Sequence, residues 1–205
     1  QAPSFQYDFR TEWGHNWDNV YGISEMGLPR GMVNRIGYPD NHKLGKNEWA
    51  DAVSNELNKD VDFGISISSN PVDSTISIVS EVQNDINSEY KLVVCLTESN
   101  IINWQKDGQE NVEDYQHNHV LRTVLIDQTL SNSTNYTAGQ QIEETISYNL
   151  ADLEEDNIFY SSNTAEMGNG NAGDWNKDNM NIVAYIYNKN TKEIVQVEEA
   201  HLITK

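Results

Sequence analysis

The chain of 205 residues contains one cysteine, Cys95, and only four prolines. A lone cysteine excludes an intramolecular disulfide and a C-x-x-C redox pair within this sequence. Because Cys95 lies among apolar residues, we expect a buried, unreactive thiol. Proline and glycine are too scarce for a collagen-like or low-complexity chain, and no run of 18 apolar residues predicts a membrane-spanning helix.

Basic residues are also scarce, since 13 Lys and Arg stand against 32 Asp and Glu, which gives a net charge of −19. Such a surface repels phosphate backbones and anionic lipid, so nucleic acid is not an expected partner. Cations, basic proteins and neutral glycans are the partners that this charge allows, although solubility alone also explains it. No catalytic or nucleotide-binding motif occurs, so we predict neither catalytic residues nor a cofactor.

The N-terminal part, 1–60, contains one clear helical pattern. Over 46–59, Trp49, Val53 and Leu57 form an apolar stripe, which predicts a helix with Asn47 as N-cap and a face packed in the core. Earlier, Trp13, Trp17 and Tyr21 recur every four residues, which indicates one helical face or an aromatic cluster in a loop. The alternating aromatics of 5–9 indicate a short strand.

From residue 62 the hydrophobic period changes to two, as in Phe63, Ile65 and Ile67. The strand candidates are 62–68, 75–82, 90–97, 115–126, 141–150, 182–187 and 194–202. Polar connections separate them, so 62–205 is predicted to form an Ig-like antiparallel β-sandwich and the chain to be mainly β. The short connection 188–192 predicts a hairpin of the last two strands.

Two long loops are predicted, at 99–114 and 161–180, and loops of that length often carry function. Trp104 and Trp175 lie within them and Tyr115 lies beside the first. The three rings could form a sugar-stacking patch, with packing in the fold as the alternative. On this basis the segment 164–176 is expected to be needed for binding and dispensable for stability.

Two patterns are compatible with metal binding. His117 and His119 would lie on one face of a strand over 115–122, where two imidazoles can share zinc or copper. Asp174, Asn176 and Asp178 have the spacing of a calcium loop, but the glycine and glutamate that complete such a loop are missing. Structural roles are the alternative for both groups.

A family resemblance rests on YQHNHVLR at 115–122, YGI at 21–23 leading to Pro29, GMVNR at 31–35 and LTE at 96–98. These segments resemble the Bacteroidetes outer-membrane family named for a twenty-eight-kilodalton surface antigen of Porphyromonas. The resemblance implies that 1–60 is a partial thioredoxin-like α/β segment ending in helix 46–59, with a cis peptide bond before Pro29 and a strand at 31–35. It also implies that 62–205 is the sandwich.

The resemblance further implies a bacterial outer-membrane or cell-surface lipoprotein that acts as an adhesin or receptor for a protein or glycan. Its membrane attachment would be an N-terminal lipid anchor that this sequence does not contain. The start of the chain has no Met, basic segment or apolar segment, which we interpret as a mature or trimmed form. Two alternatives stay open: an accessory domain of a thiol-disulfide oxidoreductase whose C-x-x-C lies upstream, and a structural module of a surface assembly.

Overall fold

A computed structural model describes residues 5–203. The helices are α1 (Glu12–Tyr21), α2 (Trp49–Glu56) and α3 (Leu150–Asn163). The strands are β1 (Arg30–Gly31), β2 (Leu44–Gly45), β3 (Phe63–Asn70), β4 (Thr75–Val82), β5 (Ile86–Asn87), β6 (Tyr90–Glu98), β7 (Ile101–Asp107), β8 (Glu110–His117), β9 (Val120–Thr129), β10 (Asn135–Tyr136), β11 (Gln141–Ser147), β12 (Met180–Asn188) and β13 (Ile194–His201). The predicted mainly β class is confirmed.

Two antiparallel sheets share the main core. One has the strand order β11-β4-β3 and the other β13-β12-β6-β9. Alternate residues of each strand point inward, so Phe63 and Ile78 of the first sheet share one hydrophobic cluster with Leu92 and Ile182 of the second. The period-two pattern therefore identified the strands that build this core. The predicted hairpin of the last two strands is confirmed as the antiparallel pair β12–β13.

The opposite face of the four-stranded sheet is covered by the N-terminal segment. Val93, Cys95 and Tyr185 form a second hydrophobic cluster, against which Trp13 and Trp17 of α1 pack. Because both faces of β6 are covered, its sequence is continuously apolar rather than alternating. The buried position predicted for Cys95 is confirmed, and burial raises the pKa of its thiol to about 12.

The helical interpretation of the Trp13, Trp17 and Tyr21 pattern is confirmed by α1. The helix begins where the Thr11 side chain accepts a hydrogen bond from the Gly14 amide, and it ends at Gly22, whose φ of 59° favours glycine. The strand predicted over 5–9 is wrong, since residues 5–10 run without strand pairing.

The connection after α1 matches the family resemblance only in part. The peptide bond between Leu28 and Pro29 is cis, as the resemblance implied. The strand that it implied over 31–35 is reduced to the two-residue pair β1–β2, and residues 34–41 are turns.

Helix α2 is shorter than predicted, and its apolar face is not in the core. Glu48 rather than Asn47 precedes the first turn, and its side chain makes no capping hydrogen bond. No residue of α2 is buried: Trp49 is 36% exposed, Val53 44%, and Leu57, just past the last turn, 81%. The prediction of a core-packed stripe is therefore wrong, because helical periodicity alone does not say what covers the face.

Both predicted long loops contain regular structure. Residues 101–117 form the hairpin β7–β8. The second region begins in the last turn of α3, and only 164–176 within it is irregular. Within that segment Ala172 and Trp175 are buried, so the segment is part of the fold and the expectation that it is dispensable for stability is wrong.

Candidate binding surface at the hairpin end

One end of the four-stranded sheet gathers most of the residues that the sequence singled out. We call it the hairpin end and define it by Glu98, which pairs with Met180 of β12 and Val120 of β9. The hairpin β7–β8 extends from β6 at this point, and the irregular segment 164–176 returns to it. The N-terminal segment 5–10 also lies here, since the Asp8 amide donates to the Asn171 carbonyl.

The base of the hairpin is fixed by polar side chains. The Asn100 amide N–H donates to Asn118 Oδ1 over 3.1 Å, and Gln116 Nε2 donates to Asn100 Oδ1 over 2.7 Å. The His119 amide donates to Ser99 Oγ over 3.0 Å. These bonds hold the two strand ends together where the ribbon leaves the sheet, so its orientation is set at the base.

The two histidines do not share a strand face. Strand β8 ends at His117, β9 begins at Val120, and His119 lies between them with φ +54°. The His117 ring lies between Phe9 and Tyr115, with centroid distances of 4.8 and 4.9 Å. His119 Nδ1 instead lies 3.2 Å from Glu199 Oε2. The geometry predicted for a shared metal ion is therefore wrong, because the predicted strand is interrupted at 118–119, between β8 and β9.

The Asp174, Asn176 and Asp178 segment has a local structural role. Asn176 Oδ1 accepts a hydrogen bond from the Asp178 amide and so caps the N-terminus of the short 3-10 helix Lys177–Asn179. The Asn176 amide donates to Glu98 Oε1 over 3.0 Å. Among residues 5–203 no group of three or more His, Cys, Asp or Glu side chains is placed to hold a metal ion. Calcium binding here stays a prediction.

Beneath the hairpin lies a buried ion pair enclosed by aromatic rings. Arg122 Nε is 2.8 Å from Glu98 Oε2, and the two side chains are 1% and 3% exposed. The guanidinium carbon lies 5.6 to 5.9 Å from the ring centroids of Tyr7, Phe9 and Trp175. We call these five residues the Arg122 cluster. It joins β6, β9, the N-terminal segment and 164–176, and thereby supports the hairpin end from below.

Two successive hydrogen bonds link the guanidinium of the Arg122 cluster to the backbone of 164–176. Arg122 Nη2 donates to the Tyr7 hydroxyl over 3.2 Å, and that hydroxyl donates to the Gly173 carbonyl. Burial raises the pKa of Tyr7 above its ordinary value, against the opposing effect of the Arg122 charge. Tyr7 therefore stays a neutral donor between the cation and the backbone.

The three predicted binding residues are not brought together as one patch. Trp175 is only 9% exposed, and its indole N–H donates to the Ala172 carbonyl over 3.0 Å. It packs inside the fold, which was the alternative to a ligand role. Trp104 is half-buried against Phe5, with a centroid distance of 6.2 Å, and Tyr115 is 44% exposed.

The exposed side chains of the hairpin end lie on both faces of the ribbon. Partners in an antiparallel ladder share a face, so Tyr115 lies with its partner Asn103, and Ile102 lies with Gln116 on the other face. Ile102 is 58% exposed, and Phe5 beside Trp104 is 46% exposed. An isolated two-stranded ribbon is marginally stable, and here Phe5 and Phe9 pack against it. The ribbon thus presents apolar side chains from a supported base.

Residues 15–205 match the family described as outer membrane protein Omp28. The chain belongs to the Omp28 family. No curated protein matches it. Membership places this Omp28-family protein at the outer membrane or cell surface, as predicted. No helix within residues 5–203 is long and apolar enough to cross a membrane.

Two solved structures from Porphyromonas gingivalis are similar. HBP35 has 15% identity and a TM-score of 0.58, over 92% of this chain and 57% of HBP35. A domain of the outer membrane lipoprotein Omp28 has 14% identity and a TM-score of 0.36, over 72% of this chain and 93% of that domain. The chain thus spans little more than half of HBP35, with which it shares the fold.

Proposed function

We propose that this Omp28-family chain is a non-enzymatic binding protein of the cell surface, an adhesin or receptor for a protein or glycan. The observation that carries the proposal is the hairpin β7–β8, which stands outside both sheets with Tyr115 and Ile102 exposed. Aromatic side chains with one apolar face and one polar group are enriched where proteins bind partners or sugars.

The negative charge of the hairpin limits the chemical classes of partner that it can bind. Its side chains include Asp107, Glu110, Glu113 and Asp114 against the single cation Lys106. Neutral glycans and basic protein surfaces match this charge, whereas nucleic acid does not.

We further propose an architecture of two parts for this chain. Residues 62–205 form an Ig-like sandwich and 1–60 a partial thioredoxin-like segment, as the family resemblance implies. In the same proposal, a lipid anchor attaches the protein to the membrane. The packing of Trp13 and Trp17 against the four-stranded sheet supports the two parts acting as one body.

A binding screen tests the proposal. The protein is applied to a glycan array and to immobilised host-matrix proteins, with and without calcium, and the affinity for any hit is measured. Tyr115→Ala is expected to weaken binding about tenfold or more, since exposed aromatic side chains at the centre of an interface contribute the largest share of affinity.

The matched control is Phe159→Ala, which removes another exposed aromatic ring, 64% exposed, from α3. It should leave affinity unchanged, and both variants should unfold at the wild-type temperature. Equal affinity of wild type and Tyr115→Ala for the identified ligand contradicts binding through the hairpin.

A further inference from the structure

A surface groove of about 480 Å³ lies between α2 and the first half of β13. We call it the α2–β13 groove and define its apolar walls by Val53, Leu57, Val61 and Val197. It is separate from the hairpin end, because β13 reaches that end only at His201, which pairs with Asn181. Whatever binds the groove therefore need not touch the hairpin.

The apolar walls of the groove are unusually open to solvent. Val53 is 44% exposed, Leu57 81%, Val61 50% and Val197 49%. Val53 and Leu57 are one helical turn apart, so they form a continuous edge opposite Val197. Grouped exposed aliphatic side chains, rimmed by polar residues, mark an interaction site. The groove thus has the apolar contact area that a partner would cover.

The rim of the groove is acidic. Glu56, Asp60, Asp62 and Glu193 line it. In the described part of the chain its one lining cation is Lys59, whose ammonium lies 2.6 Å from Glu56 Oε1 and is thus already paired. A partner with lysine or arginine beside its apolar side chains would meet three further carboxylates.

We propose that the α2–β13 groove binds a basic amphipathic segment of a partner protein. Apolar side chains of the segment enter between Leu57 and Val197, and its flanking cations face Asp60 and Glu193. A second copy of this chain is a poor occupant, because its net charge of −19 repels the rim. Anionic lipid is disfavoured for the same reason.

The test uses three labelled synthetic peptides with the intact chain. The first is an amphipathic helical peptide of leucine and lysine with leucine at i, i+3, i+4 and i+7. The second has the same composition in scrambled order, and the third has glutamate in place of each lysine. Fluorescence anisotropy should detect saturable binding of the first peptide alone, weakened by added salt because exposed charges contribute.

Protein variants then locate the binding. Leu57→Ser is expected to weaken binding about tenfold or more, because the variant loses most of the apolar surface that the leucine side chain would bury against the peptide. The double variant Asp60→Lys/Glu193→Lys should bind the basic peptide more weakly than wild type does, and it should also bind the acidic peptide. The control is Val72→Ser, 68% exposed in the turn beyond the far end of β3, which should change nothing. Circular dichroism establishes that each variant is folded.

The outcomes separate the possibilities. The proposal is supported if the amphipathic peptide binds, the scrambled peptide does not, and Leu57→Ser abolishes the binding. Equal binding of the scrambled peptide, or unchanged binding by Leu57→Ser, overturns it. Concentration-dependent dimerisation of the chain that Leu57→Ser abolishes, measured by sedimentation velocity, assigns the groove to a second copy and overturns it as well. None of these results depends on Tyr115, so the hairpin proposal stands or fails separately.

Discussion

Removing the charge of either member of the buried Arg122–Glu98 pair is expected to destabilise the protein by about 3–5 kcal/mol, because the remaining charge stays buried without its partner. Both side chains are almost fully enclosed, at 1% and 3% exposure, so water cannot replace the lost partner. Glu98→Gln keeps the size of the side chain and an oxygen that can accept from the Asn176 amide. It therefore tests the charge rather than the packing.

The complementary changes are Arg122→Met and the double variant Glu98→Gln/Arg122→Met. The double variant should be much closer to wild type than the sum of the two single variants, because no isolated charge is left in the apolar site. Urea unfolding followed by tryptophan fluorescence and by circular dichroism gives the free energies. For a chain of this size, a loss of about 3–5 kcal/mol lowers the Tm by about 6–20 °C.

Two results of the double-mutant cycle would contradict a desolvated ion pair. If the free energy of unfolding of each single variant were within about 1 kcal/mol of the wild-type value, the pair would be solvated in solution. Strictly additive losses in the double variant would mean that Arg122 and Glu98 act independently, and either result refutes a desolvated ion pair at the hairpin end.

Two further predictions concern Cys95 and Asp8. Because burial raises the pKa of the Cys95 thiol to about 12, Ellman's reagent at pH about 8 should react only after urea unfolding, and rapid native labelling would contradict this placement. Burial opposes ionisation of Asp8, but hydrogen bonds from Arg10 and Ser161 outweigh it and lower its pKa below the ordinary 3.8. Its ionised form therefore stabilises the fold above pH about 4, and this contribution is lost as the pH falls through the lowered pKa. Asp8→Asn should lower the Tm at pH about 7, and the Tm of this variant should fall less in acid than the wild-type Tm does. The same dependence of Tm on pH in wild type and variant would show that the hydrogen bonds to Asp8 contribute nothing to stability.

The strands of the two sheets were predictable because their signal is local. Inward residues such as Ile76 and Ile78 recur every second position, and β6 is apolar on both faces. Helix α3 was missed because its composition is polar. Its start nonetheless has a signal, since Asn149 Oδ1 accepts from the Ala151 amide and Asn149 Nδ2 donates to Asp152.

The exposed face of α2 was not predictable from periodicity. A stripe of Trp49, Val53 and Leu57 looks the same in sequence whether the core or another molecule covers it. Only the positions of the neighbouring strands show that Leu57 is left outside.

The candidate site was predictable only in its parts. Tyr115 and the hairpin region could be singled out from the loop-length argument, but the Arg122 cluster joins Arg122 to Tyr7, which lies 115 positions away in the chain. No local pattern predicts a contact at that separation. The one signal available was Glu98, a carboxylate that ends the apolar run of β6.

Amide hydrogen exchange with the ligand from the binding screen tests the central claim most directly. Bound ligand should slow exchange in Ile101–His117, with the core strand Thr75–Val82 unchanged. Protection confined to other segments, with none in the hairpin, would contradict binding at the hairpin end.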